Sequence, residues 1–391
     1  MASLTLEKLG KTFGKLRAVG DVDLAIADGE IIGLLGSSGC GKTSTLRMIA
    51  GFERISEGTV RIGDRPVNLL PVAARNVAMA FEGYSLYPPL TVAENIAFGL
   101  KRRFAKAEVG RKVAEIARLL EIGDILEHYP SAISGGQQQR VSLARALVRQ
   151  ADVYLLDEPM SQLEPQLRAV LRVRIKDWLR RHRMTTVFVT HDQTEAIALA
   201  DRIAVMDQGA LQQFGTSADL LDRPVNLFVA GFVGEPPMNL IEAEVLRRDG
   251  RLALAALDRD GRTAFELMLP SAPAGKTIER MLEAGRRITI GFRPQSASLA
   301  VDDRRQGAGA PASLTIRGRV VSNEWLGDQS HVGIEAGGLF LIAVTDGRIA
   351  LAEDGAVTLA LRPEALHAFD RETGRALIHG GSIAEAARHA A

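Results

Sequence analysis

The chain has 391 residues, 46% of them hydrophobic, enough for two domains with cores of their own. Lys and Arg number 48 against 47 Asp and Glu, and a net charge of +1 excludes the strong field of a nucleic-acid or anionic-lipid binder. One cysteine, Cys40, excludes an internal disulfide framework and fits a reducing compartment.

The start, Met1 to Lys8, lacks the charged region and long apolar core of a signal peptide. No apolar run approaches the roughly 20 residues that a membrane-spanning helix needs. Leu4 to Leu9 and Val22 to Ile26 read as strands, and Ile31 to Leu35 as a buried strand before a helix from Thr45 to Ala50. Between strand and helix lies Gly36-Ser37-Ser38-Gly39-Cys40-Gly41-Lys42-Thr43, in which Gly36 and Gly41 are separated by four residues and followed by Lys and Thr. This is a phosphate-loop pattern in the right context. The glycines let successive N–H groups point at phosphate oxygens, and the helix start favours an anion. Lys42 reaches the β- and γ-phosphates, and the Thr43 hydroxyl takes a Mg²⁺ position. Cys40 serves as a small residue lending its N–H.

From about Leu90 to Gln150 the pattern is helical with little strand character. Ile133-Ser134-Gly135-Gly136-Gln137 opens a helix with an apolar stripe at Val141, Ala144, Leu147 and Val148. Alone, Ser-Gly-Gly reads as easily as a capped helix. Val153 to Asp157 is an apolar strand ending in two carboxylates, Asp157 placed to hold Mg²⁺ and Glu158 to orient or deprotonate an attacking water. Val187 to Thr190 is another apolar strand, ending at His191-Asp192, and Arg202 to Met206 is a further one. Buried strands alternating with helices indicate an α/β sheet. Glu235-Pro236-Pro237 marks a boundary, dividing the chain into 1–235 and 236–391. Beyond it short β-like runs predominate, with Asp302 to Pro311 as a loop. Ile288 to Gln295 resembles Val357 to Glu364, each a strand ending in Arg-Pro, which suggests a small β-barrel of two related halves. The Ala-rich tail, Ser382 to Ala391, reads as a frayed helix or as disordered.

These motifs, in this order, resemble the ATPase subunits of ABC transporters. Gly36 to Thr43 matches the Walker A loop, Ile133 to Gln137 the signature motif, and Asp157-Glu158 the Walker B pair. His191 matches the switch histidine and Phe13 the aromatic that stacks on adenine. Tyr84 to Pro88, Thr91 to Leu100, Asn226 to Phe232 and Pro237-Met238-Asn239 look like carbohydrate importers of the maltose and glycerol-3-phosphate type. The resemblance implies an α/β P-loop NTPase with a helical subdomain at about 90–150. A small all-β, oligonucleotide-binding-like (TOBE) domain follows, serving dimer contact and regulation or stability alone. It implies ATP and Mg²⁺ as cofactors. Phe13, Gly36 to Ser44 (including Ser37, Ser38, Gly39, Cys40, Gly41, Lys42 and Thr43), Glu82, Ser134, Gly135, Gly136 and Gln137 would bind nucleotide. Thr43, Glu82 and Asp157 would hold the metal, and Glu158, His191 and Lys42 would carry catalysis.

Two such subunits, as a homodimer or with a related ATPase, would face each other head to tail, so that residues 134–137 serve the partner's γ-phosphate. Membrane permease subunits would dock near Glu82 to Pro89, with Tyr84 and Tyr87 as contacts. A periplasmic or extracellular solute-binding protein would act indirectly, and nucleic acid is not expected. The expected place is the cytoplasmic face of the inner membrane, bound peripherally. Glu82 stands where the family has Gln, and Glu164 where it has Asp. The reading is a working ATPase with altered coupling, neutral drift being the alternative. Three functions compete: the motor of a sugar, polyol or glycerol-phosphate importer; that of a polyamine, sulfate or iron importer; and a soluble ATPase acting on nucleic acid or ribosomes. The last expects tandem cassettes or basic stripes, which the sequence lacks.

Overall fold

Strand β1 (Leu4–Phe13) turns at Gly14-Lys15 into β2 (Leu16–Ile26). In β2, Val22, Leu24 and Ile26 are buried while Asp21, Asp23 and Ala25 are exposed, the period-two signature of a strand with one covered face. β3 (Ile31–Gly36) is buried along its whole length and leads into α1 (Lys42–Ala50). The chain continues through β4 (Glu57–Ile62), β5 (Arg65–Pro66) and β6 (Val77–Ala80). Three helices follow: α2 (Val92–Ala97), α3 (Lys106–Leu119) and α4 (Gly135–Leu147). Then come β7 (Val153–Asp157), α5 (Pro165–Arg181), β8 (Thr186–Val189), α6 (Gln193–Leu199), β9 (Arg202–Asp207) and β10 (Ala210–Gly215). The computed structural model describes residues 1–269, 278, 282–300 and 314–382. Its contacts divide the chain into two units, Met1–Ser217 and Ala218–Ala391.

The first unit holds two sheets. One is antiparallel in the order β2-β1-β4-β5; the other has the order β10-β9-β3-β8-β7-β6. In the second sheet β6, β7, β8, β3 and β9 are parallel, and β10 is antiparallel to β9. The sequence reading placed Leu4–Leu9 and Val22–Ile26 in the α/β sheet; the structure puts them in the separate antiparallel one. Their one-sided burial is the reason, since strands of a covered parallel sheet are apolar on both faces, as β3, β7 and β8 are. In α3 the buried residues Val109, Val113, Ile116 and Ala117 form one helical stripe, as do Val141, Ala144 and Leu147 in α4.

The carboxyl ends of β3, β8 and β7 lie side by side. Leu34 pairs with Val189, and Val189 with Asp157. Three motifs far apart in sequence therefore reach one edge, where ligands of open parallel sheets bind.

The second unit begins within α7 (Ser217–Asp222) and continues through α8 (Leu227–Phe232). Its strands are β11 (Asn239–Arg248), β12 (Arg251–Leu257), β13 (Thr263–Met268), β14 (Arg287–Phe292), β15 (Ala297–Ala300) and β16 (Leu314–Trp325). They continue with β17 (Gln329–Ala336), β18 (Leu339–Asp346), β19 (Ala356–Leu361), β20 (His367–Asp370) and β21 (Ala376–Ile378). They form two antiparallel sheets, β13-β12-β11-β14-β20-β21 and β15-β19-β16-β17-β18. Ile241, Leu254 and Ile290 from the first and Ile316, Ile334 and Leu359 from the second share one core, consistent with a small barrel.

The two Arg-Pro repeats are the joints of this unit. β14 enters Arg293-Pro294 and leaves as β15; β19 enters Arg362-Pro363 and leaves as β20. β14 pairs with β20, and β15 with β19. Each sheet thus joins the incoming strand of one copy to the outgoing strand of the other. The arginines have diverged. Arg293 donates to the carbonyls of Leu221, Ala230 and Val233, whereas Arg362 is exposed. The loop read at Asp302–Pro311 and residues 383–391 of the tail lie outside the described residues.

Candidate functional site

The phosphate loop follows β3 directly, and its glycines are sterically required. A Cβ on Gly36 would sit 2.1 Å from the Met206 carbonyl oxygen, and one on Gly41, at φ 101°, 2.7 Å from that of Ala18. Gly41 is the N-cap of α1 and supplies no side-chain cap, so the first-turn N–H groups are left for an anion. Lys42 is buried, and its Nζ donates to the carbonyls of Gly36 at 2.8 Å and Ser37 at 2.9 Å, with the Cys40 Sγ at 3.6 Å. The ammonium thus folds back over the loop. Ser37 donates to Asp207 at 3.0 Å, while Ser38 and Gly39 are exposed and Ser44 half-buried.

The Thr43 hydroxyl donates to Asp157 Oδ1 at 3.3 Å, bringing the start of α1 to the end of β7. Burial pushes the Asp157 carboxyl up, the hydrogen bond from Thr43 opposes this, and the negative charges of Glu82 and Glu158 add to the rise. Glu158 turns off the strand at φ 48°, a backbone state that costs a non-glycine residue about 1–3 kcal/mol. The turn brings Glu158 Oε2 to 3.3 Å from Nδ1 of the exposed His191. Phosphate loop, Asp157, Glu158 and His191 are therefore one assembled group.

Ser134 and Gln137 form a capping box at the start of α4, with Gln137 N donating to Ser134 Oγ at 3.3 Å and Ser134 N to Gln137 Oε1 at 2.8 Å. Their side-chain hydrogen bonds run within their own helix start and not to the phosphate loop. A Cβ on Gly136 would lie 3.0 Å from the Gln162 carbonyl oxygen, so glycine lets the helix approach residues 158–162. Sequence reasoning missed the residue that fastens this contact. Buried Gln139 donates from Nε2 to Glu158 O at 2.8 Å and Ser161 Oγ at 3.0 Å, and accepts from Gln162 N at 2.9 Å. Its signal was position, since it precedes buried Ser142 and Leu143 by one helical turn.

Glu164 is the N-cap of α5, exposed and without a side-chain cap hydrogen bond. Asp is a strong cap, worth about 1 kcal/mol, and Glu, one methylene longer, leaves that bond unmade here. Phe13 is 44% exposed, with Lys11 Nζ 4.5 Å from its ring centroid on one side. Glu82 is exposed, and its charge bears on Asp157 and on Tyr84, whose phenol is raised first by burial and then by Glu82. Beside it a cavity of about 330 Å³ is lined by Phe81, Tyr84, Tyr87, Phe98 and Arg145 among others. Arg145 was also missed in the sequence. It donates to Ser85 O at 2.6 Å and lies 4.6 Å over the Tyr87 ring, tying α4 to the segment after Glu82.

The ABC transporter family matches residues 19–161, and the TOBE domain matches residues 293–369. The sn-glycerol-3-phosphate import ATP-binding protein UgpC 3 of Rhizobium johnstonii is 40% identical over 96% of this chain and 99% of its own length. The trehalose/maltose import ATP-binding protein MalK of Thermococcus litoralis is 39% identical over 96% of this chain and 100% of its own. Among solved structures, a dimeric post-hydrolysis state of the ATP-binding cassette MJ0796 bound to ADP and Pi superimposes with a TM-score of 0.51. It is 27% identical and covers 55% of this chain and 98% of that one.

Proposed function

This chain belongs to the ATP-binding proteins of ABC transporters, and from that premise we propose that it is the ATP-hydrolysing motor of an importer for a sugar, polyol or glycerol-phosphate-type solute. The observation that carries the solute class is full-length similarity, through the β-domain, to proteins named for glycerol-3-phosphate and trehalose/maltose import. In cells lacking the chain, uptake of one solute of this class should fall and should return with the wild-type chain but not with Glu158→Gln. Loss of polyamine, sulfate or iron uptake with sugar uptake intact would favour the other importer class.

The residues present suit ATP. The N–H groups of Gly39 to Ser44 and the Lys42 ammonium would take the phosphates, which would replace the Gly36 and Ser37 carbonyls as Lys42 partners. The open face of Phe13 would stack on the base. The residues also fit Mg²⁺. Thr43 Oγ1 and Asp157 Oδ1 are two oxygens at one point, and this ion is commonly held by one or two protein oxygens together with phosphates and water. When bound, Mg²⁺ would neutralise charge on the phosphate oxygens. Glu158 would orient the attacking water and accept its proton, while His191, on the same carboxylate, would fix Glu158 and contact the γ-phosphate.

A second ATPase subunit, a copy of this chain or a related one, would complete the site, with Ser134, Gly135, Gly136 and Gln137 reaching the partner's γ-phosphate. The cavity by Tyr84 and Tyr87 would receive a permease segment near Glu82 to Pro89. Gln139 and Arg145 would join that groove to Glu158 through α4. Among the described residues no helix is long and apolar enough to cross a membrane. Membrane attachment would therefore come through the permease, peripherally on the cytoplasmic face.

Glu82 keeps an oxygen ligand and adds a charge that already bears on Asp157. Glu82→Gln removes that charge, so the Mg²⁺ concentration for half-maximal ATPase activity should rise. About two- to fivefold is expected, the equivalent of ~0.5–1 kcal/mol for a partly exposed charge interaction. A Mg²⁺ titration superimposing on that of the wild type would remove this role for Glu82.

A further inference from the structure

We propose that Glu195 is the positioning residue for His191, holding the switch segment against the hydrolytic centre through the Thr190 hydroxyl. The proposal rests on the reading of His191 given above. His191 is itself exposed, yet the residues flanking it are locked. Thr190 is 2% exposed and its hydroxyl donates to Glu195 Oε2 at 2.9 Å, while accepting from Asp192 N at 3.0 Å. Glu195 N donates in turn to Asp192 Oδ1 at 3.0 Å, closing a ring of hydrogen bonds around residue 191. The second Asp192 oxygen meets Arg168 Nη1 at 3.3 Å. Arg168 Nη2 donates to Leu163 O at 3.0 Å and Ser161 O at 3.4 Å. The ring is thus fastened to the segment that follows Glu158.

Glu195 is 3% exposed, and among the described residues its Oε1 has no hydrogen-bond partner. An unpaired oxygen is tolerable on a neutral carboxyl and costly on a carboxylate. Among the described residues, four groups bear on its charge. Thr190 comes from the end of β8, Asp192 and His191 from the turn, and Arg168 from α5. Farther along α5, Lys176 is bonded to the Ala198 carbonyl and Arg180 to Asp201, and β3 presents only apolar residues. Burial pushes the Glu195 carboxyl from 4.5 up to about 7; Asp192 adds to the rise, and Thr190, Arg168 and His191 oppose it. The folded chain therefore holds a proton that the unfolded chain has released between those values. The group's contribution to stability declines as pH rises from about 4.5 to about 7. Above about 7 an ionised Glu195 would strain the ring and displace His191.

The test is the pH profile of kcat and KM for ATP in the full-length chain, with Glu195→Gln, Glu195→Ala, Thr190→Val and His191→Ala measured side by side. Glu195→Gln keeps the size and an acceptor oxygen but cannot ionise. It should match the wild type at pH 6 and retain its kcat above pH 7, where the wild type declines. Glu195→Ala and Thr190→Val should lose about ten- to a hundredfold in kcat with KM unchanged, the scale of a small misplacement of a catalytic group. Superimposable profiles for Glu195→Gln and wild type overturn the proposal, and they decide it even where Glu195→Ala fails to fold. Full kcat in Glu195→Ala, with turnover lost in His191→Ala, overturns this proposal alone. Full turnover in His191→Ala overturns the reading of His191 and this proposal with it.

Discussion

Replacing Glu158 with Gln is expected to leave ATP binding in place and to lower turnover by about 10²–10⁴-fold, the contribution of a positioned general base. Gln preserves the volume and an oxygen at 3.3 Å from His191 Nδ1, so the geometry survives. It cannot take a proton from water, so the chemistry does not. The phosphate loop, which does not include residue 158, should bind nucleotide with wild-type affinity. Nucleotide binding and phosphate release measured on one preparation separate the two effects. Phosphate release near the wild-type rate would show that another group activates the water.

The second large effect is steric. In Gly36→Ala the new methyl would lie 2.1 Å from the Met206 carbonyl oxygen and 2.7 Å from the Cys40 Sγ. The first neighbour is backbone of β9, held between β3 and β10, and cannot rotate away. Overpacking of this kind costs about 1–3 kcal/mol, and a domain of this size loses about 2–4 °C in Tm for each kcal/mol. Because β3 delivers the loop, the displacement should also weaken ATP binding. Gly39→Ala is the control. Gly39 has φ 76°, but among the described residues nothing lies within 4 Å of where its Cβ would be, so local strain is added without a clash. A Gly36→Ala chain with wild-type Tm and ATP affinity would contradict the packing at the end of β3.

The phosphate loop was legible because its chemistry is local: β3, the loop and the start of α1 are contiguous, and the glycines announce the tight backbone. Asp157, Glu158 and His191 were legible as strand ends, but their meeting depends on β3, β8 and β7 being neighbours, which no single segment encodes. The separate antiparallel sheet was not legible, because β1 pairs with β4 across more than forty residues of intervening chain. Alternation in β2 held the clue that one face was wet. Gln139 was hidden because a polar residue in a helix reads as surface until its partners, Glu158, Ser161 and Gln162, are folded beside it. Glu195 was hidden likewise: nothing in Asp192-Gln193-Thr194-Glu195 says which of the two carboxylates turns inward.

The crossed Arg-Pro joints set an order of events during synthesis. Every strand of the first unit's two sheets has been synthesised once residue 215 is made, so that unit can close while translation of the second continues. The second unit cannot do the same. β15 awaits β19, which ends at Leu361, and β14 awaits β20, which ends at Asp370 with β21 still to follow, so each sheet stays incomplete until the chain is almost finished. Such long-range pairing is slow to form and leaves strand edges unpaired meanwhile. A ribosome stalled before His367 would therefore hold a finished motor tethered to an open, adhesive β-domain, a quality-control problem confined to one half of the polypeptide.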